Sequence, residues 1–378
     1  MKKLIGIIKY LLILSIGVGL LYLAFKGQNL EEMIHELKNA KYEWVLLSVI
    51  IVFIAHISRA ARWNILIKPL GYTPKLLNTT AAVLVAYITN LVFPRLGEVA
   101  RCGALKKTDK IPMDKLIGTV VVERGIDFIA LMGILFLSVL LQVDLVSAFF
   151  METVINPFTS KLVDTSSNLK QIMIIGGIIF VLLVVTLFYL RNKIKDLEAY
   201  KKLITLIAGF IQGIKTIKHM ENKPLFVFHT FFIWGSYFLM TWVCFNALDA
   251  TGNLGIPAAM FIFAMGGVGM AAPVQGGIGT FHWAVAQSMV LYGIAESDGL
   301  VFATLIHAGH TIFTLIFGGA SLIYVLILEK KQIYKLHLNL RESFRKYQIK
   351  GSKSGPAPNP AGRMEIRKEK NRIYKRLF

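Results

Sequence analysis

Along the first 330 positions, apolar stretches alternate with short segments that collect Lys, Arg, Gly and Pro. Residues 4–25, 44–66, 76–93, 116–142, 171–190, 224–247, 257–272, 276–292 and 300–328 are predicted helices. A hydrocarbon core about 30 Å thick takes roughly 20 helical residues to cross, and several of these runs reach that length. The alternation of a barrel strand is absent from the sequence, so the backbone must satisfy its own hydrogen bonds within helices. The run 4–25 follows Lys2 and Lys3 but is too long for a signal-peptide core and has no small-x-small cleavage site. It reads as a retained helix.

Which runs cross is a question for the basic residues, because Lys and Arg collect in cytoplasmic loops. With the amino terminus inside and 4–25, 44–58, 116–142, 171–190, 224–247 and 300–328 as crossings, the inside segments 1–9, 59–75, 94–115, 191–223 and 329–378 hold 3, 4, 6, 8 and 15 basic residues. The outside segments 26–43, 143–170, 248–256 and 293–299 hold 3, 2, 0 and 0. Both termini are then cytoplasmic, and the reading is a multi-pass protein of the bacterial inner membrane. The assignment requires 76–93 to dip in from the cytoplasm and return, and 257–292 to enter and leave from outside as a hairpin. The expected fold is therefore all-α: a polytopic helical bundle with six full crossings and two re-entrant elements.

Each excursion carries a Pro and Gly break, Asn90 to Glu98 around Pro94 and Gly97, and Ala272 to Gly279 around Pro273. Interrupted segments at matching places in halves of opposite orientation are the pattern of an inverted-repeat transporter. Two ordinary loops between short helices are the alternative. Composition agrees with the membrane class: 55% of the 378 residues are hydrophobic and 17% charged, with a mean hydropathy of +0.60. That leaves no polar surface for a hidden soluble enzyme domain.

Two stretches, 193–218 and 30–41, look interfacial and amphipathic. Residues 331–378 form a basic tail, a Ser, Pro and Gly linker at 351–362 followed by a basic segment from Arg363 to Arg376, expected to rest on anionic lipid. Nucleic acid is not an expected partner, since the tail has no fold or stacking pattern for it. Only Cys102 and Cys244 occur, placed near opposite faces, so neither a disulfide framework nor a thiolate metal site is expected.

Ionisable residues within apolar segments are costly and need a reason. Four groups stand out. His56, Arg59 and Arg62 follow at i, i+3, i+6 before Trp63, where two guanidiniums can fork onto a phosphate or snorkel beside an aromatic anchor. Arg95, Glu98 and Arg101 surround the first break, and with Asn90 they suit an anion at a helix start near Gly97. Glu123, Arg124 and Asp127 sit two turns into a predicted helix, either as a buried ion network with the arginines or as a proton or substrate site. The turn Gln275 to His282 brings Gly276, Gly277 and Gly279 for close backbone approach to a headgroup, and His282 as a titrating group. His307 and His310, three apart and without a carboxylate, suit hydrogen-bonded packing better than metal. The sequence lacks a Walker motif, a nucleophile elbow and HExxH, so no cofactor, metal or catalytic residue is expected.

Taken in order, Arg59-Ala-Ala-Arg62-Trp63, the P-R-x-G-E-x-x-R core within Asn90 to Arg101, Glu123-Arg124-x-x-Asp127 and the P-x-x-G-G-I-G run from Pro273 to Gly279 resemble the transmembrane domain of lysylphosphatidylglycerol synthase/flippase proteins and their stand-alone relatives. The resemblance covers about residues 1–330. It implies two re-entrant elements and movement of an anionic, aminoacylated or polyprenyl-linked phospholipid between leaflets. Aminoacylating members carry a soluble transferase domain after the membrane part, whereas this sequence ends in the basic tail, so lysine transfer is not expected of it alone. The family turn also carries a carboxylate where this sequence has His282, and Gln275 precedes its glycines. The expectation is a translocator in which Arg59, Arg62, Arg95 and Arg101 hold the phosphate and Glu98, Glu123 and Asp127 balance them. The alternative is an accessory subunit that recruits a synthase or glycosyltransferase through the tail.

Overall fold

The computed structural model describes residues 15, 18–150, 220–334 and 338. The expected helix 171–190, the amphipathic stretch 193–218 and nearly all of the basic tail lie outside the described residues. Every regular element among the described residues is helical. The helices are α1 (Leu30–Asn39), α2 (Tyr42–Ile67), α3 (Leu76–Val92), α4 (Gly97–Asp109), α5 (Met113–Leu140), α6 (Val143–Phe150), α7 (Lys223–Cys244), α8 (Ile256–Ala271), α9 (Thr280–Val290) and α10 (Glu296–Phe313). A single π-turn, Thr314–Gly318, follows α10.

The boundaries have local causes. Asn29 caps α1, its Oδ1 accepting from the backbone N–H of Glu31 at 3.2 Å and Glu32 at 3.3 Å. Pro224 and Pro257 fall in the first turns of α7 and α8, where a missing N–H costs nothing. Three helical runs among the described residues are long and apolar enough to cross a membrane: Tyr42–Leu70, Lys223–Ala247 and Glu296–Tyr334. Helix α5, of 28 residues, is also long enough to cross, but Glu123, Arg124 and Asp127 interrupt its apolar run.

The chain divides into Met1–Val325 and Leu326–Phe378. In the first unit, α2 packs against α3, α5, α7 and α10. Helices α3 and α4 form one hairpin, α8 and α9 another, and α9 leans on α10. One apolar core gathers Trp63, Leu66, Leu105 and Leu116 from α2, α4 and α5, and a second gathers Ile262, Val285, Met289 and Phe302 from α8, α9 and α10. Small residues let the second hairpin close tightly, since a Cβ on Gly269 would stand 2.8 Å from the Thr280 carbonyl oxygen. The apolar residues left outside, such as Leu46, Ile50 and Ile54 at helical spacing along α2 and Phe228 and Phe231 on α7, suit contact with lipid chains. Of the second unit, residues 326–334 are helical.

Candidate functional site

Helix α2 presents Arg59 and Arg62 one turn apart, and α5 presents Glu123 and Asp127 one turn apart, so the two pairs meet where the helices pack. Arg59 Nη1 lies 3.2 Å from Glu123 Oε1 and 3.1 Å from Asp127 Oδ2. Arg62 Nη2 reaches Asp127 Oδ1 at 2.7 Å and Glu123 Oε1 at 3.4 Å. Arg101, brought in by α4, donates to Glu123 Oε2 at 3.0 Å and packs its guanidinium 4.5 Å from the Trp63 ring centroid. Trp63 itself is fixed by donating to Thr119 Oγ1 at 2.8 Å.

Arg124 completes the network from the outside. Its Nη2 is 3.1 Å from Glu123 Oε1, and its Nε is 3.3 Å from Glu98 Oε1. Glu98 Oε2 approaches Arg101 Nε to 2.7 Å as an ion pair, although the alignment is not that of a hydrogen bond. Arg59, Arg62, Arg101, Glu123 and Asp127 are buried. Arg124 at 43% and Glu98 at 29% side-chain exposure form the open edge. Four guanidiniums face three carboxylates, which leaves one positive charge in excess. Arg59 Nε, Arg62 Nε and Arg101 Nη2 are buried without a hydrogen-bond partner in the protein.

Of the four arginines expected to act together, the structure brings three into the network and leaves Arg95 out. Arg95 sits in the left-handed region at φ 62°, which turns its side chain away to donate to the Ala271 carbonyl oxygen at 3.1 Å. Its partner is thus the C-terminus of α8, where carbonyls lack helical partners. The helix start expected near Gly97 is there, but Asn90 Oδ1 accepts the Gly97 N–H at 2.8 Å. Asn90 therefore closes the first break. A Cβ on Gly97 would overlap the Ala86 carbonyl oxygen and the Asn90 side chain.

In the second break Gly276, Gly277 and Gly279 have φ of 56°, 74° and 82°, a region other residues enter only with strain. Here the glycine backbone is packed closely against neighbours within the fold. A Cβ on Gly276 would stand 2.9 Å from Leu91 Cδ2, and one on Gly277 would overlap the Met270 sulfur. The two breaks therefore touch, through Leu91 and Gly276 and through Arg95 and Ala271. His307 Nε2 bonds the Gly276 carbonyl oxygen at 2.7 Å and His310 Nε2 bonds Ser48 Oγ at 3.3 Å, the hydrogen-bonded packing expected of them. His282 and Gln275 are buried beside this turn, with His282 Nδ1 and both polar side-chain atoms of Gln275 unpartnered in the protein.

Sequence reading missed three participants. Tyr237 lies with its ring 5.8 Å from the Arg59 guanidinium, Tyr87 bonds Tyr237 hydroxyl to hydroxyl at 3.3 Å, and Thr230 Oγ1 accepts from Arg62 at 3.3 Å. These three residues, on α3 and α7, gave no signal of their own, since a Tyr or Thr in an apolar run is common. No group of three or more potential metal ligands is present among the described residues. Outside the spans, Lys41 donates to Asp249 at 2.8 Å, and each holds the other in its charged form, raising the lysine pKa and lowering that of the carboxylate.

The chain is similar to three archaeal proteins. It is 35% identical to UPF0104 membrane protein MJ1595 of Methanocaldococcus jannaschii over 31% of this chain and 35% of that protein. It is 26% identical to UPF0104 membrane protein MJ1078 of the same organism over 63% of this chain and 94% of that protein. With UPF0104 membrane protein PH1989 of Pyrococcus horikoshii it shares 22% identity over 77% of this chain and 89% of that protein. The match to MJ1595 thus spans about a third of that relative. No solved structure matches. The lysylphosphatidylglycerol synthase TM region matches residues 7–318, which takes in both breaks and all seven members of the ion network, and this multi-pass membrane protein therefore belongs to that family.

Proposed function

We propose that this protein moves an anionic, aminoacylated or polyprenyl-linked phospholipid between the leaflets of the inner membrane, in a domain covering residues 1–330 with six crossings, two re-entrant hairpins and both termini cytoplasmic. The single observation that carries the reading is the edge of the ion network. A charge in the apolar layer costs about 2.5–3.5 kcal/mol or more, yet four arginines are gathered against three carboxylates. The network reaches its open edge at Arg124, half-exposed beside the first break, where a lipid phosphate has access from the bilayer.

In this reading Arg124 meets the phosphate while Arg59, Arg62 and Arg101 turn their unpartnered N–H groups toward its oxygens. Glu98 holds Arg101 and Arg124 in place until the anion arrives. The contact between the two breaks forms the far wall, and Arg95 latches the first hairpin to the second. Movement of one hairpin against the other opens the site to alternate leaflets.

The test is transbilayer exchange of fluorescent phosphatidylglycerol in vesicles, read by dithionite bleaching. Loss of one charge-assisted contact is worth about 1.5–3 kcal/mol, so Arg124→Gln is expected to slow exchange by at least about tenfold. Exchange at the wild-type rate in Arg124→Gln would sink the proposal.

A further inference from the structure

The first break is tied to the second by a residue whose backbone is strained and whose charge is poorly matched. Arg95 takes φ of 62°, in the left-handed region where a Cβ crowds the following carbonyl oxygen. Lys110, the other non-glycine residue in that region among the described ones, caps the C-terminus of α4, where the conformation is common. Arg95 ends no helix. It stands in the turn between α3 and α4, and its guanidinium Nη2 donates to the carbonyl oxygen of Ala271, the last residue of α8, at 3.1 Å.

That contact serves the charge badly. A guanidinium carries five N–H donors, and among the described residues the acceptor it finds is a neutral carbonyl oxygen, with no carboxylate paired to it. Arg95 is exposed, and Val92, Phe93, Leu96 and Val99 around it are exposed apolar residues, the surroundings of a group that lipid reaches. An arginine held there is costly. A phosphate suits it better, because two parallel charge-assisted bonds replace one bond to a dipole. Glu98, three residues on, belongs to the open edge of the ion network, so the Arg95 turn stands beside the place where the phosphate enters.

We propose that Arg95 is a latch released by the lipid phosphate: it leaves the Ala271 carbonyl for the phosphate, its backbone relaxes from the left-handed region, and the two hairpins part. The empty protein stays latched because the carbonyl is the acceptor at hand. The loaded protein opens because the phosphate binds the unlatched state more tightly, and a ligand shifts an equilibrium only by that difference. Strain stored in the latched turn reduces the difference required. The neighbouring contact between the breaks, Leu91 against Gly276, is apolar and does not sense the anion.

The inference rests on the translocator reading, and the experiment separates the two. The full chain, with Cys102 and Cys244 replaced by Ser, carries spin labels through Leu96→Cys and Val268→Cys, exposed positions on the two sides of the contact, in lipid-free detergent. Pulsed electron resonance reads the distance between the hairpins. Dihexanoylphosphatidylglycerol is expected to move the distribution to longer distance, and dihexanoylglycerol, which lacks the phosphate, to leave it unchanged. Inorganic phosphate at the same concentration is expected to have little effect, and equal opening by it would overturn the lipid as the trigger. Arg95→Ala is expected to raise the ratio of long to short distances without ligand by about tenfold or more, the worth of a charge-assisted hydrogen bond, and to lose the response. Arg95→Gly, which removes the strain as well, is expected to do the same and keeps the test if Arg95→Ala fails to fold, while Arg95→Lys is expected to keep both latch and response. A distance indifferent to the lipid with Arg95 intact, or an unchanged response in Arg95→Ala or Arg95→Gly, overturns the latch and leaves the translocator. Opening by the lipid without exchange in vesicles overturns the translocator and leaves the latch.

Discussion

At the residue scale, the ion network contains two kinds of position. Glu123 is fully buried and within ion-pairing distance of Arg59, Arg62, Arg101 and Arg124. Removing one partner of a buried ionic cluster leaves the others uncompensated, at a cost of about 3–5 kcal/mol. Glu123→Gln is accordingly expected to lower the unfolding temperature in detergent sharply. Arg124→Gln, at the exposed edge, should cost under about 1 kcal/mol. Equal unfolding temperatures for the two variants would show that the interior pairs do not hold the fold. The contrast matters for function, because it predicts that the residue closest to the lipid is the one that can be changed without unfolding the protein.

At the scale of elements, the two hairpins depend on glycines for different reasons. Gly97 allows α4 to start against α3, where any Cβ would overlap the Ala86 carbonyl oxygen. Gly103, also in α4, has open space around it. Gly97→Ala is therefore expected to destabilise by about 1–3 kcal/mol, whereas Gly103→Ala should be neutral or stabilise by up to about 1 kcal/mol. Thermal unfolding of the pair is the check, and an equal response would mean that the hairpin does not need close contact at its break. Gly276 and Gly277 meet Leu91 and Met270 in a left-handed backbone, so the second break is constrained by both conformation and space.

For the whole molecule, the topology turns on which helices cross. Three runs are long and apolar enough to do so, and the proposed topology adds three more and turns α3 and α8–α9 back on themselves. Single cysteines at Lys75 and Lys110, in a background with Cys102 and Cys244 replaced by Ser, are expected to react with a membrane-impermeant maleimide from the same side. Cysteines at Asn253 and Ser297 should react from the other. Labelling of positions 75 and 110 from opposite sides would mean that α3 spans the bilayer.

The helical class, the positions of α2, α3, α5, α7 and α8, and the two breaks were legible in the sequence, because apolar run length and Gly or Pro interruption act locally. So was the list of charged residues that had to find partners, since an unpaired charge in an apolar layer is too costly to keep. That Glu123 and Asp127 would meet these arginines was legible as well, and Arg59, Arg62 and Arg101 do meet them; which arginine would stay out was not. Arg95 and Arg101 bracket the same break and look equivalent in sequence, yet the left-handed turn at Arg95 sends it to Ala271 while Arg101 enters the network. Helical periodicity determines which residues share a face. Which faces meet, and hence which charges cancel, depends on packing between segments far apart in the chain, and only the closed bundle decides it.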